Sequence, residues 1–433
     1  MNNSPNWAMN PIVDEQVSAR SEIPQVGPSG LHRPLNVLLL QGPVGGFFSQ
    51  LRKTLGARGH NVTRFAFNAP DRMFDRHAGR RDFAGTLDDW REELERTFAE
   101  LDTDLVLLFG ACRPIHTVAR AVALAHGIPV LCLEEGYIRP GYVTAEWGGN
   151  NAGSPVAGKV PDEFPSSCHP PEQTDFQGFH DLLFKSFCYY GLLSAFGSNQ
   201  ERSISHRQIR PFREVRLWLL NLARKLAFER ADQRFIDHLE TARVKYMVVA
   251  LQVPNDLSLG EAAFGWTAER LVRNTIASLA STGPEDLHLV FKAHPLARGH
   301  DRSLTMIPEI SAQMGVADRV HLVHVGSLGQ LVRNSAGLIT INSTSGLSAI
   351  AHGKPLMAVG RAVYANPRIA TCANGKPDFD AFWRSNFVAE KTLRNAYLNW
   401  LVATCLLPGD YYAKSGVEVA ANAIADKIEA ECK

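Results

Sequence analysis

From residue 35 onward, short all-apolar runs alternate with stretches whose apolar residues recur every three or four positions. The first run, Leu35 to Leu40, is too short for a buried helix and fits a strand covered on both faces. It empties into Gln41-Gly42-Pro43-Val44-Gly45-Gly46, and helical spacing then runs from Phe47 to Arg58 until Gly59 stops it. Val62 to Phe67, Leu105 to Phe109 and Pro129 to Leu133 predict further strands, with helices over 86–101 and 115–126 between them. Strand-helix alternation of this kind predicts a parallel sheet with right-handed crossovers. A second set, Tyr246 to Leu251, Leu287 to Phe291, Val320 to Val323, Gly337 to Ile341 and Pro355 to Val359, predicts a second lobe of the same class.

The chain therefore reads as an α/β protein with two Rossmann-like parallel-sheet lobes facing a cleft. A loose tail over 1–33 precedes the first lobe at 34–165. Residues 166–240 carry Phe, Leu, Tyr, Trp and Arg at helical spacing and form a helical bridge or insertion. The second lobe covers 241–380, and C-terminal helices fill 381–433.

Charge narrows the partners. With 45 basic and 44 acidic residues, and a formal net charge of +1, no global field draws in nucleic acid. The seven cysteines show no CxxC spacing and fit a reducing compartment, with Cys112 and Cys132 expected as buried packing residues. The first thirty-odd residues lack the apolar core of a secretory signal, and no window reaches the roughly 18 to 20 apolar residues of a membrane span. A cytoplasmic protein is expected, free to touch a membrane surface.

Candidate chemistry gathers where strands empty into polar turns, because open α/β sheets bind ligands at the carboxyl ends of their strands. Asn342-Ser343-Thr344-Ser345-Gly346 opens a helix with hydroxyls and unpaired N–H groups, a natural anion site. His294-Pro295 and Lys292 end the strand Leu287 to Phe291, and Gln252 to Asp256 follows the first strand of that lobe. The latter fits a cleft wall or a simple Asx-type turn. In the first lobe, Gly42, Pro43, Gly45 and Gly46 would let backbone amides approach a ligand, although the turn is not GxGxxG and lacks a Walker lysine.

Glu134 and Glu135 follow a strand directly and point in different directions, so one can face the cleft as nucleophile or base while the other bonds locally. Arg139 can pair with one of them, and Arg113 and His116 lie on the same expected rim, either to hold an acidic substrate or to cap a helix. Asp102-Thr103-Asp104 and Asp378-Phe379-Asp380 match DxD, but the first pair sits at a strand entry, away from the cleft, and no metal is expected. Residues 202–230 interleave Arg and Lys with Phe, Trp and Leu, which fits either lipid headgroups or a packed amphipathic helix with a solvated basic side.

Taken together, LLLQGPVGGFF (38–48), LFGACRPIH (108–116), EEGYIRPGYVT (134–144), LQVPNDLSL (251–259), FKAHPLARG (291–299), INSTSGLSAIAHGKP (341–355) and Gly360 to Tyr364 resemble the KpsS/LipB-type capsule polysaccharide biosynthesis proteins, a bacterial family of Kdo transferases. The resemblance implies a GT-B architecture, metal-independent and retaining catalysis, and no cofactor beyond CMP-Kdo as donor substrate. It implies a glycerophospholipid acceptor, phosphatidylglycerol or its lyso form, a place at the inner membrane surface, and capsule biosynthesis and export proteins as partners. It implies that His294-Pro295 holds CMP, that Ser343-Thr344-Ser345 contacts phosphate, and that Glu135 stands where related KpsC-type modules carry the Asp of Glu-Asp-Gly. Arg113, Arg139 and Arg361 are candidates for the carboxylate of the sugar, and Asp256 is a reserve carboxylate. A different sugar-nucleotide enzyme, such as an epimerase or polyol-phosphate transferase, and a non-catalytic assembly partner are the competing readings.

Overall fold

Most of the predicted strands are buried along their length, Leu105–Phe109 and Gly337–Thr340 at every residue, and they assemble into two separate sheets. The computed structural model describes residues 33–77, 79–165, 170–176, 178–205, 211–253, 259–294 and 302–432. In chain order the strands are β1 (Asn36–Leu39), β2 (Asn61–Ala66), β3 (Arg80–Asp82), β4 (Leu105–Phe109), β5 (Val130–Glu135) and β6 (Tyr142–Trp147). They continue with β7 (Lys245–Ala250), β8 (Leu287–Lys292), β9 (Val320–Val323), β10 (Gly337–Thr340), β11 (Leu356–Ala358), β12 (Thr371–Cys372) and β13 (Leu406–Pro408).

The first sheet runs β13-β6-β5-β4-β1-β2-β3 and the second β12-β11-β10-β7-β8-β9. Every pairing in the second is parallel. In the first, β6 runs antiparallel to both β5 and β13. The cause is local: six residues, Gly136 to Gly141, separate β5 from β6, too few for the helical crossover that a parallel partner needs.

Helix Phe47–Ala57 covers one face of the first sheet together with helix Lys414–Glu431, whose Ala420, Ile424 and Ile428 are buried. The C-terminal helix thus returns to the first lobe, and each buried isoleucine contributes about 2 kcal/mol. On the opposite face Trp90 is wedged among Phe65, Phe67 and Phe83. Cys132 is buried, as its place in β5 predicts, whereas Cys112 is exposed because it lies past the end of β4, in the turn.

The two lobes share one apolar cluster: Tyr137, Ile138 and Tyr142 of the first pack with Leu347, Val363 and Tyr364 of the second. The bridging helices dock at both ends. Tyr189 of helix Phe179–Phe196 donates to Asp71 (2.8 Å) and accepts from Asn68 (2.8 Å) and Gln41 (3.1 Å) in the first lobe. Asp232 of helix Pro211–Thr241 accepts from the backbone N–H groups of His324 (2.8 Å) and Val325 (2.7 Å) in the second.

Candidate active site

The order β10-β7-β8 sets three carboxyl ends side by side: the turn after β10, Gln252 after β7, and His294 after β8. Gln252 is buried and locks the turn, donating to Asn342 Oδ1 (2.9 Å) and accepting from Asn342 N–H (3.3 Å). It thereby fixes the shape of the turn at the carboxyl end of β10. Ser343 Oγ accepts from Ser345 N–H (3.2 Å) and from Ser345 Oγ (2.8 Å), and Tyr364 donates to the Ser343 carbonyl (2.6 Å). Ser343, Thr344 and Ser345 are half-buried, with Gly346 packed so closely on Tyr364 that a Cβ would stand 2.2 Å from its ring.

The helix that follows, Gly346–Ala351, has six residues, so the turn offers hydroxyls and amides rather than a long dipole. Lys292 is the last residue of β8. It is 6% exposed and donates to the carbonyls of Ala293 and His324, both at 3.1 Å, so it ties the ends of β8 and β9 beneath the half-buried His294. Pro295 and Asp256 lie outside the described residues. Arg361 is exposed, with its guanidinium 5.6 Å from the Phe264 ring.

Across the cleft, Glu134 and Glu135 are the last two residues of β5 rather than the first beyond it. Glu134 Oε1 accepts from Glu135 N–H (3.1 Å), a local bond. The Glu135 carboxylate receives Tyr412 OH at 2.6 Å on one oxygen and Arg139 Nη1 at 3.4 Å on the other. Burial, and then the negative charge of Glu135, push the Tyr412 hydroxyl well above its ordinary range, so it stays protonated as a fixed donor. Gly136 is required here, since a Cβ would stand 2.1 Å from the Tyr142 carbonyl.

Arg113 donates to Gln41 Oε1 (2.9 Å) and to the Gly42 carbonyl (3.1 Å), and its guanidinium stands 5.3 Å from the Phe109 ring. It anchors the glycine-rich turn. Within that turn Gly42, Pro43 and Gly45 are buried and Gly46 is half-buried, at the opening of a helix with no side-chain cap. His116 is not on the rim: it is fully buried, with Nδ1 2.9 Å from the Gly110 carbonyl. Burial, helped by Arg113, pulls its pKa down to about 3, leaving a neutral ring unsuited to an acidic substrate.

One residue absent from the sequence expectations connects the walls. Asn151, in the left-handed region at φ 48°, follows β6 in the first lobe. Its amide donates to the Asn342 carbonyl (3.0 Å) and accepts from Val363 N–H (3.0 Å) in the second lobe, while its own N–H donates to Tyr137 OH. Tyr137 donates in turn to Glu146, a carboxyl that burial pushes up and that Ser154 also holds. A chain of contacts therefore runs from Tyr137, two residues past Glu135, through Asn151 to the serine turn.

The DxD matches have other duties. Asp104 binds Arg33 and the Asn36 N–H at the amino end of the first sheet, opposite the cleft, beside a hollow of about 540 Å³ lined by Trp147 and Glu431. Asp102 ends helix Leu87–Leu101 at φ 46°. Asp378 caps helix Phe379–Phe382, and Asp380 accepts from Ser278 and Thr282, which pull its carboxyl down. Among the described residues no three His, Cys, Asp or Glu side chains converge to hold a metal ion.

The chain is similar to the capsule polysaccharide export protein KpsS of Escherichia coli, at 29% identity over 87% of this chain and 96% of that one. It is equally similar, at 29% identity over 88% of this chain and 92% of the other, to the capsule polysaccharide modification protein LipB of Neisseria meningitidis serogroup B. Among solved structures, the β-Kdo 2,7-transferase KpsC of Thermosulfurimonas dismutans aligns with 90% of this chain and 99% of its own at 15% identity and a TM-score of 0.39. The capsule polysaccharide biosynthesis protein family matches residues 104–412, well over half of the chain and both walls of the cleft from β4 to Tyr412; the chain belongs to that family.

Proposed function

We propose that this protein is a GT-B-type glycosyltransferase of capsule assembly that moves Kdo from CMP-Kdo to a glycerophospholipid, phosphatidylglycerol or its lyso form, at the inner membrane face. The observation that carries the reading is the hydrogen-bonded path through Asn151, which ties the half-buried serine turn of the second lobe to the first lobe, whose β5 ends in a carboxylate supported by Tyr412 and Arg139. The second lobe grips the cytidylate phosphate through Ser343, Thr344, Ser345 and His294, stabilising the charge that develops as CMP leaves. Glu135 attacks the anomeric carbon, forming an ester to the sugar, and the acceptor oxygen then displaces Glu135, so configuration is retained. Arg139, half-exposed beside Glu135, holds the carboxylate of the sugar, with Arg361 across the cleft. Charge stabilisation in this scheme comes from side chains and needs no metal.

The reading is tested by incubating the protein with CMP-Kdo and with UDP- and CDP-linked sugars, alongside a panel of lipid acceptors, and weighing the products. Transfer from CMP-Kdo alone is expected; preference for a UDP-sugar would reject it in favour of another sugar-nucleotide activity. The path through Asn151 makes a second test. Asn151→Ala strands a carbonyl and an N–H, each costing about 1–3 kcal/mol when buried, and CMP affinity measured by calorimetry is expected to fall roughly ten-fold. Unchanged affinity would detach the clamp from nucleotide binding.

A further inference from the structure

The bridging helices carry an exposed apolar surface that neither lobe covers. On helix Phe179–Phe196, positions 180, 184, 187, 191 and 195 fall within one arc at 100° per residue. They are His180, Phe184, Phe187, Gly191 and Ala195, all exposed, with Phe184 at 68% and Phe187 at 57%. Phe196 adds a third exposed ring at the end of the helix, at 69%. Between Leu182 and Phe196 the only charged residue is Lys185, which turns inward and donates to the Tyr412 carbonyl (2.6 Å).

Helix Pro211–Thr241 packs against this helix. One of its faces brings together Arg216, Ala223, Leu226, Ala227 and Arg230, all exposed, with Leu226 at 64%. These apolar groups stand outside the buried side of the helix, which holds Ile236 and Leu239. Charge completes the pattern. Residues 202–230 hold eight Arg and Lys against two Glu, Glu214 and Glu229, a local +6 in a chain whose total is +1. Exposed phenylalanines on one helix and exposed arginines on the helix packed against it suit the boundary between anionic headgroups and acyl chains, where rings enter the apolar side and guanidinium groups meet phosphate.

We infer that the bridging helices, through Phe184, Phe187, Phe196 and Leu226 with Arg216 and Arg230, dock this protein on an anionic lipid bilayer. The helix that carries these phenylalanines is tied on its inner side to the first lobe, where Lys185 holds the Tyr412 carbonyl while Tyr412 OH holds Glu135. The inference rests on exposure and charge, and does not depend on the donor proposed above.

The test is flotation of the full-length protein with phosphatidylcholine vesicles, with and without phosphatidylserine, which is anionic but is not the proposed acceptor. Binding to the anionic vesicles is expected, weakening as salt is raised. Arg216→Gln with Arg230→Gln should lower the partition about 25-fold, at roughly five-fold for each arginine. Phe184→Ser with Phe187→Ser should lower it at least as much, with circular dichroism melts confirming that both variants stay folded. Absence of vesicle binding, equal binding to neutral vesicles, or full binding by both variants would overturn the inference. So would a dimer in sedimentation that the phenylalanine variant abolishes, since that assigns the face to a second copy of the chain.

Discussion

Glu135→Gln is expected to lower sugar transfer by roughly 10³-fold or more while leaving CMP affinity intact. The amide keeps the volume of the side chain and can still accept a hydrogen bond from Tyr412 OH at the position now 2.6 Å away. In the proposed mechanism it loses the negative charge that would face a sugar carbon becoming positive, and it cannot form the ester that retention would require. The proposed nucleotide contacts lie on the other lobe, so calorimetry with CMP should return the wild-type value. Tyr412→Phe is the graded companion. A bond to a charged group is worth about 1.5–3 kcal/mol, so its loss should lower turnover by at least ten-fold with a nearly unchanged KM for donor. A Gln variant that still transfers would move the role to Glu134, whose Oε1 accepts from the Glu135 N–H, or to Asp256.

The contrast between these two residues explains what could be read in advance. Strands of a parallel sheet are covered on both faces, so β4 and β5 appear as unbroken apolar runs, and Glu135 becomes conspicuous as a carboxylate at a strand end. Tyr412 lies 277 residues further along, and no local pattern connects it to Glu135. The same holds for β13, three residues ending in Pro408, and for the C-terminal helix, whose apolar face fits either lobe until packing decides. Asn151 sits in a Gly- and Asn-rich loop that reads as an ordinary turn, and only the arrival of Asn342 and Val363 from the other lobe makes it a clamp.

His116 is the opposite case, because a signal was present. Ile115, His116, Ala119, Val122 and Ala123 form the buried face of their helix at helical spacing, and following that face would have moved the histidine from the rim into the core. Lys292 had a weaker signal, as the last residue of an otherwise apolar strand. Its bond to the His324 carbonyl, just past the end of β9, is not visible in the local pattern.

His294→Ala is expected to lower turnover about 10²-fold, the size seen when one preorganised donor to a developing negative charge is removed. Neighbouring strands lie about 4.8 Å apart, so β8 stands roughly 10 Å from β10, with β7 between them. The serine turn and the imidazole thus leave the sheet from separate strands, and in the proposed site neither is expected to replace the other. Lys292 holds the Ala293 carbonyl and His324 carbonyl beneath the site, which fixes the direction in which His294 leaves β8. Since the ammonium stays in place in His294→Ala, the thermal midpoint should hold and the loss should fall on kcat, with CMP affinity changed far less. Near-normal turnover would remove His294 from the phosphate and leave the serine turn as the anion site. A loss confined to KM would make it a ground-state contact to the nucleotide, with no special part in bond breaking.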